Sequence, residues 1–135
     1  MNEDDIQQIF FVECEESLEA AEAGLDACRK GTHDDETINA IFRAVHSVKG
    51  GAGAFGHLAM QAFTHCFENL LGEIREHRVE LTPALVDLML AALDLLRDHV
   101  DAAQSGSDAP DDSALIAQLE AAQAGGAVDA EPSPA

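Results

Sequence analysis

Residues 42 to 56, FRAVHSVKGGAGAFG, place an imidazole and an ammonium three residues apart, His46 and Lys49, and follow them with Gly50, Gly51 and Gly53. Helical periodicity runs through the whole segment, so these glycines fall inside a helix, where each costs roughly 0.5–1 kcal/mol relative to alanine. Together they are a large fraction of a marginal stability, so the missing side chains must serve packing or function. At about 100° per residue the apolar stripe centres on Ile41, Val45 and Ala52, and His46 falls well off it, beside Arg43, Gly50 and Gly53. The spacing predicts a solvent-facing imidazole with bare backbone at Gly50 and Gly53, open to another protein's active site. Gly51 lies nearest the buried side and is the candidate for close helix packing instead.

Imidazole is a good nucleophile when neutral, and its ordinary pKa of ~6.5 leaves much of it neutral near pH 7. For one ring nitrogen to attack, the other must hold the proton and donate it to a fixed acceptor, for which a carboxylate is suited. The segment THCFENLL, residues 64 to 71, offers Glu68 with His65 three residues before it. Glu68 is the candidate acceptor. Lys49 is a compact positive charge suited to phosphoryl oxygens, in a chain with only seven Lys and Arg in all.

The elements that must position these residues are helices. From about Asp5 to Arg29, Ile6, Phe10, Cys14, Leu18, Ala21, Leu25 and Cys28 form one stripe, and Gly31 is a stop signal. A second helix starts near Asp34, Asp35 and Glu36, turns Ile38, Ile41, Phe42, Val45, Val48, Ala52 and Phe55 inward, and ends at Gly56. The third, Leu58 to about Glu76, sets Phe63, Cys66, Phe67, Leu70 and Ile74 against a polar side of Gln61, His65, Glu68 and Gly72. Thr82 followed by Pro83 is an N-cap and first-turn proline, opening a fourth helix with Leu85, Leu88, Met89, Ala92, Leu93, Leu96 and Val100 inside. After the turn-rich SGSDAPDD at 105–112, a short helix spans about Ser113 to Gln123. Amphipathic helices with short connections bury their stripes against antiparallel neighbours. The expected fold is all-α, an up-and-down four-helix bundle with a fifth C-terminal helix, over residues 1–123. Residues 124–135, rich in Gly, Pro, Ala and acid, read as a disordered linker tail leading into a longer protein.

Composition narrows the function. With 135 residues, 47% of them apolar, the chain suits one core rather than two. A formal net charge of −19 repels nucleic-acid phosphates and anionic lipid surfaces, so neither is expected as a partner. No apolar run approaches the ~20 residues of a membrane span, and the acidic opening, Met1 to Asp5, is unlike a secretory signal, so a soluble, cytoplasmic protein is expected. Cys14, Cys28 and Cys66 form no CxxC and sit among apolar neighbours, as buried reduced thiols do.

HSVKGG at 46–51, the AGAFG that follows and THCFENLL at 64–71 resemble the phosphotransfer domain of CheA-type chemotaxis histidine kinases, over about Ile6 to Val100. The resemblance implies the same five-helix architecture. It implies that His46 is phosphorylated, that Glu68 bonds the other ring nitrogen, and that Lys49 and His65 complete the site. It further implies a kinase catalytic domain, in cis or in trans, that uses ATP, and response-regulator receivers of CheY-like and CheB-like type that take the phosphoryl group onto an aspartate. Chemoreceptor clusters would be the location. Ala54 stands where the family often has a hydroxyl residue, and His57 where an apolar residue is commoner.

Neither GxxxxGK[ST] nor a glycine loop after a strand is present, so no cofactor and no ATP-dependent activity are expected of the domain itself. Three other readings compete. A metal-binding bundle uses Glu-x-x-His, whereas Glu68 follows His65 here, and no metal is expected. A non-catalytic acidic adaptor explains the charge but not the glycines, and a stand-alone phosphorelay protein would lack the tail's linker character. His33, His57, His77 and His99 read as surface residues, and Phe42, Phe55, Phe63 and Phe67 as core.

Overall fold

Side-chain caps set where three of the five helices begin in the computed structural model, which describes residues 2–125. Helix α1 runs Glu3–Lys30, opened by a reciprocal Asn2/Asp5 capping box and closed by Gly31, whose φ of 74° suits a residue without Cβ. Helix α2 runs Asp35–Ala54 behind a second box in which Asp34 and Thr37 exchange bonds. Helix α3 spans Leu58–Arg75. Helix α4 spans Pro83–Ser105, with the Thr82 side chain accepting from the Leu85 N–H and Pro83 in the first turn. Helix α5 spans Ser113–Gln123. Among the described residues there is no strand, so the expected all-α class stands. The predicted linker tail lies outside the described residues from 126 onward.

Neighbours pack in a ring, α1 on α2, α2 on α3, α3 on α4 and α4 on α1, and α5 closes over α3 and α4. Pairing along the helices shows the antiparallel sense. Gly24 of α1 faces Ile41 of α2, while Phe10 faces Gly51. Between α2 and α3, His46 meets Glu68 and Gly53 meets Gln61. The core holds Leu25, Ile41, Val45, Phe63, Phe67, Leu70, Leu85, Met89, Leu93, Leu96 and Leu119. Each such side chain contributes roughly 1.5–3 kcal/mol through burial, enough to carry glycines that weaken one helix.

Several expectations need correction. Ile6 is exposed, because the α1 stripe closes on the bundle only from Phe10 and Phe11 onward. Phe42, Phe55 and Cys66 are half-buried at the edges of their stripes, while Cys14 and Cys28 are buried. His99 is buried, not a surface residue: it lies three residues past Leu96 on the inward stripe of α4. There its Nε2 meets Asp112 Oδ2 at 2.9 Å, and its ring stacks on Phe63. His57 is half-buried, bonded to Gln7 and stacked on Phe10.

Candidate functional site

Helix α2 carries His46 on the face it does not bury, and 62% of the side chain is exposed. Its Nδ1 hydrogen-bonds Glu68 Oε2. The other carboxylate oxygen, Oε1, accepts from Lys49 Nζ at 2.6 Å, and the Lys49 side chain is half-buried. Residues 46 and 49 of α2 therefore converge on one residue of α3, as i,i+3 positions on a helix can.

Glu68 is the hidden member, at 7% exposure. Its placement on the open polar side of α3 is corrected: it sits at the edge where α3 meets α2, one residue past buried Phe67 and three before buried Leu71. Burial pushes its carboxyl pKa up, but hydrogen bonds from Lys49 and His46, with their charges, outweigh that, so the pKa lies below the ordinary 4.5. An ionised carboxylate is acceptor-only, so Nδ1 carries the proton, and in the neutral ring the lone pair is left to Nε2. The carboxylate fixes the tautomer that a nucleophilic imidazole needs.

The expected glycines divide into three kinds. A Cβ on Gly51 would collide with the Phe10 ring, so this residue lets α1 approach α2. A Cβ on Gly53 would meet only the flexible end of Gln61. A Cβ on Gly50 would meet nothing within 4 Å, so nothing inside the fold requires its bare backbone. His65 is exposed and, among the described residues, takes no hydrogen bond to His46, Lys49 or Glu68, so the geometry does not join it to the cluster.

Sequence reasoning missed what lies behind the imidazole. Phe42, one turn before His46, stacks nearly parallel to it, with the planes 7° apart and the centroids 6.1 Å apart. Arg75 of α3 lies over the Phe42 ring, 3.9 Å from its centroid. The i,i+4 spacing of Phe42 and His46 was the available signal. A cleft of about 570 Å³ is lined by residues such as His33, Ile38, Arg78 and Leu81 and includes none of His46, Lys49 and Glu68. The His46 imidazole is thus open to solvent rather than enclosed in that cleft. Among the described residues, no three His, Cys, Asp or Glu side chains gather to hold a metal. Burial raises the thiol pKa at all three cysteines, at Cys14 up to about 12 with Glu13 adding to it, so none is a ready nucleophile.

The Hpt domain family model matches residues 5–125. The chain belongs to the Hpt domain family. It is 48% identical, over 96% of its length, to the chemotaxis protein CheA of Cereibacter sphaeroides, and 45% identical, over 90%, to that of Rhizobium meliloti. It spans only 19% and 16% of those relatives, so this Hpt domain matches a small part of each. In three dimensions it is similar to the phosphorylated P1 domain of CheA3 in complex with CheY6 from R. sphaeroides (TM-score 0.81, 30% identity, 90% of this chain and 97% of that one). It is also similar to the histidine phosphotransfer domain of CheA seen in solution (TM-score 0.76, 28% identity, 89% of this chain and 92% of that one). Among the described residues no helix is long and apolar enough to cross a membrane.

Proposed function

We propose that this Hpt domain is the phosphoryl carrier of a CheA-type chemotaxis kinase, and that His46 Nε2 is the atom that carries the phosphoryl group. The observation behind the reading is the Nδ1 bond to buried, ionised Glu68 beneath an exposed Nε2. Nε2 attacks the γ-phosphorus of ATP held on a separate kinase catalytic domain, the Nε2–P bond forms, and the bond to the ADP oxygen breaks. The ring gains positive charge as this happens, and the Glu68 carboxylate on Nδ1–H stabilises it. A receiver aspartate oxygen then attacks phosphorus, the N–P bond breaks, and the electron pair returns to Nε2.

Lys49 steadies Glu68 through one N–H, which leaves the ammonium two further donors to offer phosphoryl oxygens. Gly50, and Gly53 less so, leave room for the docking partner. His65, on the same side of α3, is at most a contact that forms when phosphate or partner arrives. The receivers are CheY-like and CheB-like response regulators, the kinase domain acts in cis or in trans, and the setting is cytoplasmic, in chemoreceptor clusters. The domain binds no cofactor of its own.

The test is incubation with ATP and a CheA-type kinase domain, read by intact mass and acid lability, in wild type and His46→Gln. One acid-labile phosphate in wild type and none in a His46→Gln chain that still unfolds cooperatively is the expected outcome. Equal labelling of the variant would remove His46 from the reaction.

A further inference from the structure

Phe42, Gly72 and Arg75 form a seat behind His46 that the reaction as described does not use. The Glu68 bond holds the imidazole at one atom only, Nδ1, and leaves a largely exposed ring free to tilt about that point. The direction of the Nε2 lone pair depends on that tilt. The Phe42 ring lies nearly parallel to the imidazole and removes the freedom on one face.

Phe42 is itself held from α3. Glu68, Gly72 and Arg75 share one face of that helix, spaced four and three residues apart. The guanidinium of Arg75 covers the Phe42 ring, a cation–π contact. A Cβ on Gly72 would touch Phe42 Cε2 at 3.7 Å, so the ring occupies the space that a longer side chain at 72 would take. The same residues line an open groove of about 350 Å³ with Glu68 and Asn69.

We infer that Phe42, clamped by Arg75 in the gap left by Gly72, is a positioning residue that sets the angle of the His46 imidazole for phosphoryl transfer. This rests on the phosphotransfer reading above. Alignment of a reacting atom is worth large rate factors, and a misplacement of about 1 Å can cost on the order of 100-fold. Loss of one of two restraints should have a smaller effect.

The test uses Phe42→Leu, Phe42→Tyr and Arg75→Gln in this chain, with two readouts. The first is the rate of phosphoryl acceptance, separated into kcat and KM for the domain as substrate. The second is the mobility of the His46 ring, from ¹³C relaxation of its ring carbons in the unphosphorylated domain, which needs no kinase. Phe42→Leu should lower kcat about five- to tenfold with KM unchanged, and should make the His46 ring more mobile than in wild type while Nδ1–H stays bonded to Glu68. Phe42→Tyr should restore both. Arg75→Gln, an exposed change that leaves the core intact, should move both in the same direction but less. Wild-type kcat and ring mobility in Phe42→Leu would overturn the inference, as would a loss in Phe42→Tyr as large as in Phe42→Leu. If even wild type accepts no phosphate, the phosphotransfer reading fails, and the ring-mobility readout still decides on Phe42.

Discussion

His46 and His99 each bond a carboxylate, and each stacks on a phenylalanine. In the first pair the carboxylate is buried and the ring is open; in the second the ring is buried, at 2% exposure, and the carboxylate is half-buried. Inverting the burial changes what the pair can do. A sunken carboxylate aims an accessible nitrogen at whatever docks, whereas a sunken imidazole has no access and instead ties α4 to Asp112. Asp112 stands at the N-cap of α5 yet makes no side-chain cap bond there. Its oxygen goes to His99, so that pair anchors the fifth helix.

The two pairs should therefore separate function from stability. Glu68→Ala should slow phosphoryl acceptance by on the order of 10- to 100-fold while His46 remains an acceptor, because orientation and charge stabilisation are lost but the nucleophile is not. Labelling time courses check this, and the wild-type rate would put Glu68 outside the mechanism. His99→Ala should do the opposite, costing about 2–4 kcal/mol through a cavity and an orphaned partner. Thermal unfolding reads that loss, and the rate of phosphoryl acceptance measured well below the new midpoint should match wild type.

Finer distinctions lie among the glycines and in pH. Gly51→Ala should destabilise by about 1–3 kcal/mol, since the Phe10 ring must shift, whereas Gly50→Ala should stabilise by about 0.5–1 kcal/mol, since nothing opposes its methyl. If denaturant melts show the same sign for both, the division between packing and access glycines is wrong. The smallest effect concerns Glu68 titration. Its folded pKa is depressed, so its contribution to stability is present above the ordinary 4.5 and is lost as pH falls through the lowered folded value. The stability gap between wild type and Glu68→Gln should shrink over that acid range. A gap that grows on acidification would contradict the sign.

Much of this was legible in the sequence for physical reasons. Helix bounds followed from the caps Asp34, Thr82 and Pro83 and from Gly31, whose chemistry is local. His46 stood out because three glycines broke the rule of their helix. Burial at stripe edges was less legible, because residue type and helical phase disagree there. Glu68 looked exposed because it is a glutamate, although its position beside Phe67 puts it at the α2–α3 seam. His99 looked exposed because it is a histidine, although Ala92, Leu96 and His99 continue one stripe. The contact of Arg75 with Phe42 joins two helices and depends on their register, which a single sequence does not reveal.

The most direct measurement is the position of the phosphate on the imidazole, read by ³¹P and ¹⁵N NMR after phosphorylation by a CheA-type kinase domain. One phosphate on Nε2 of His46, with Nδ1 still protonated toward Glu68, is the predicted result; phosphate on Nδ1, or on any other residue, would contradict it.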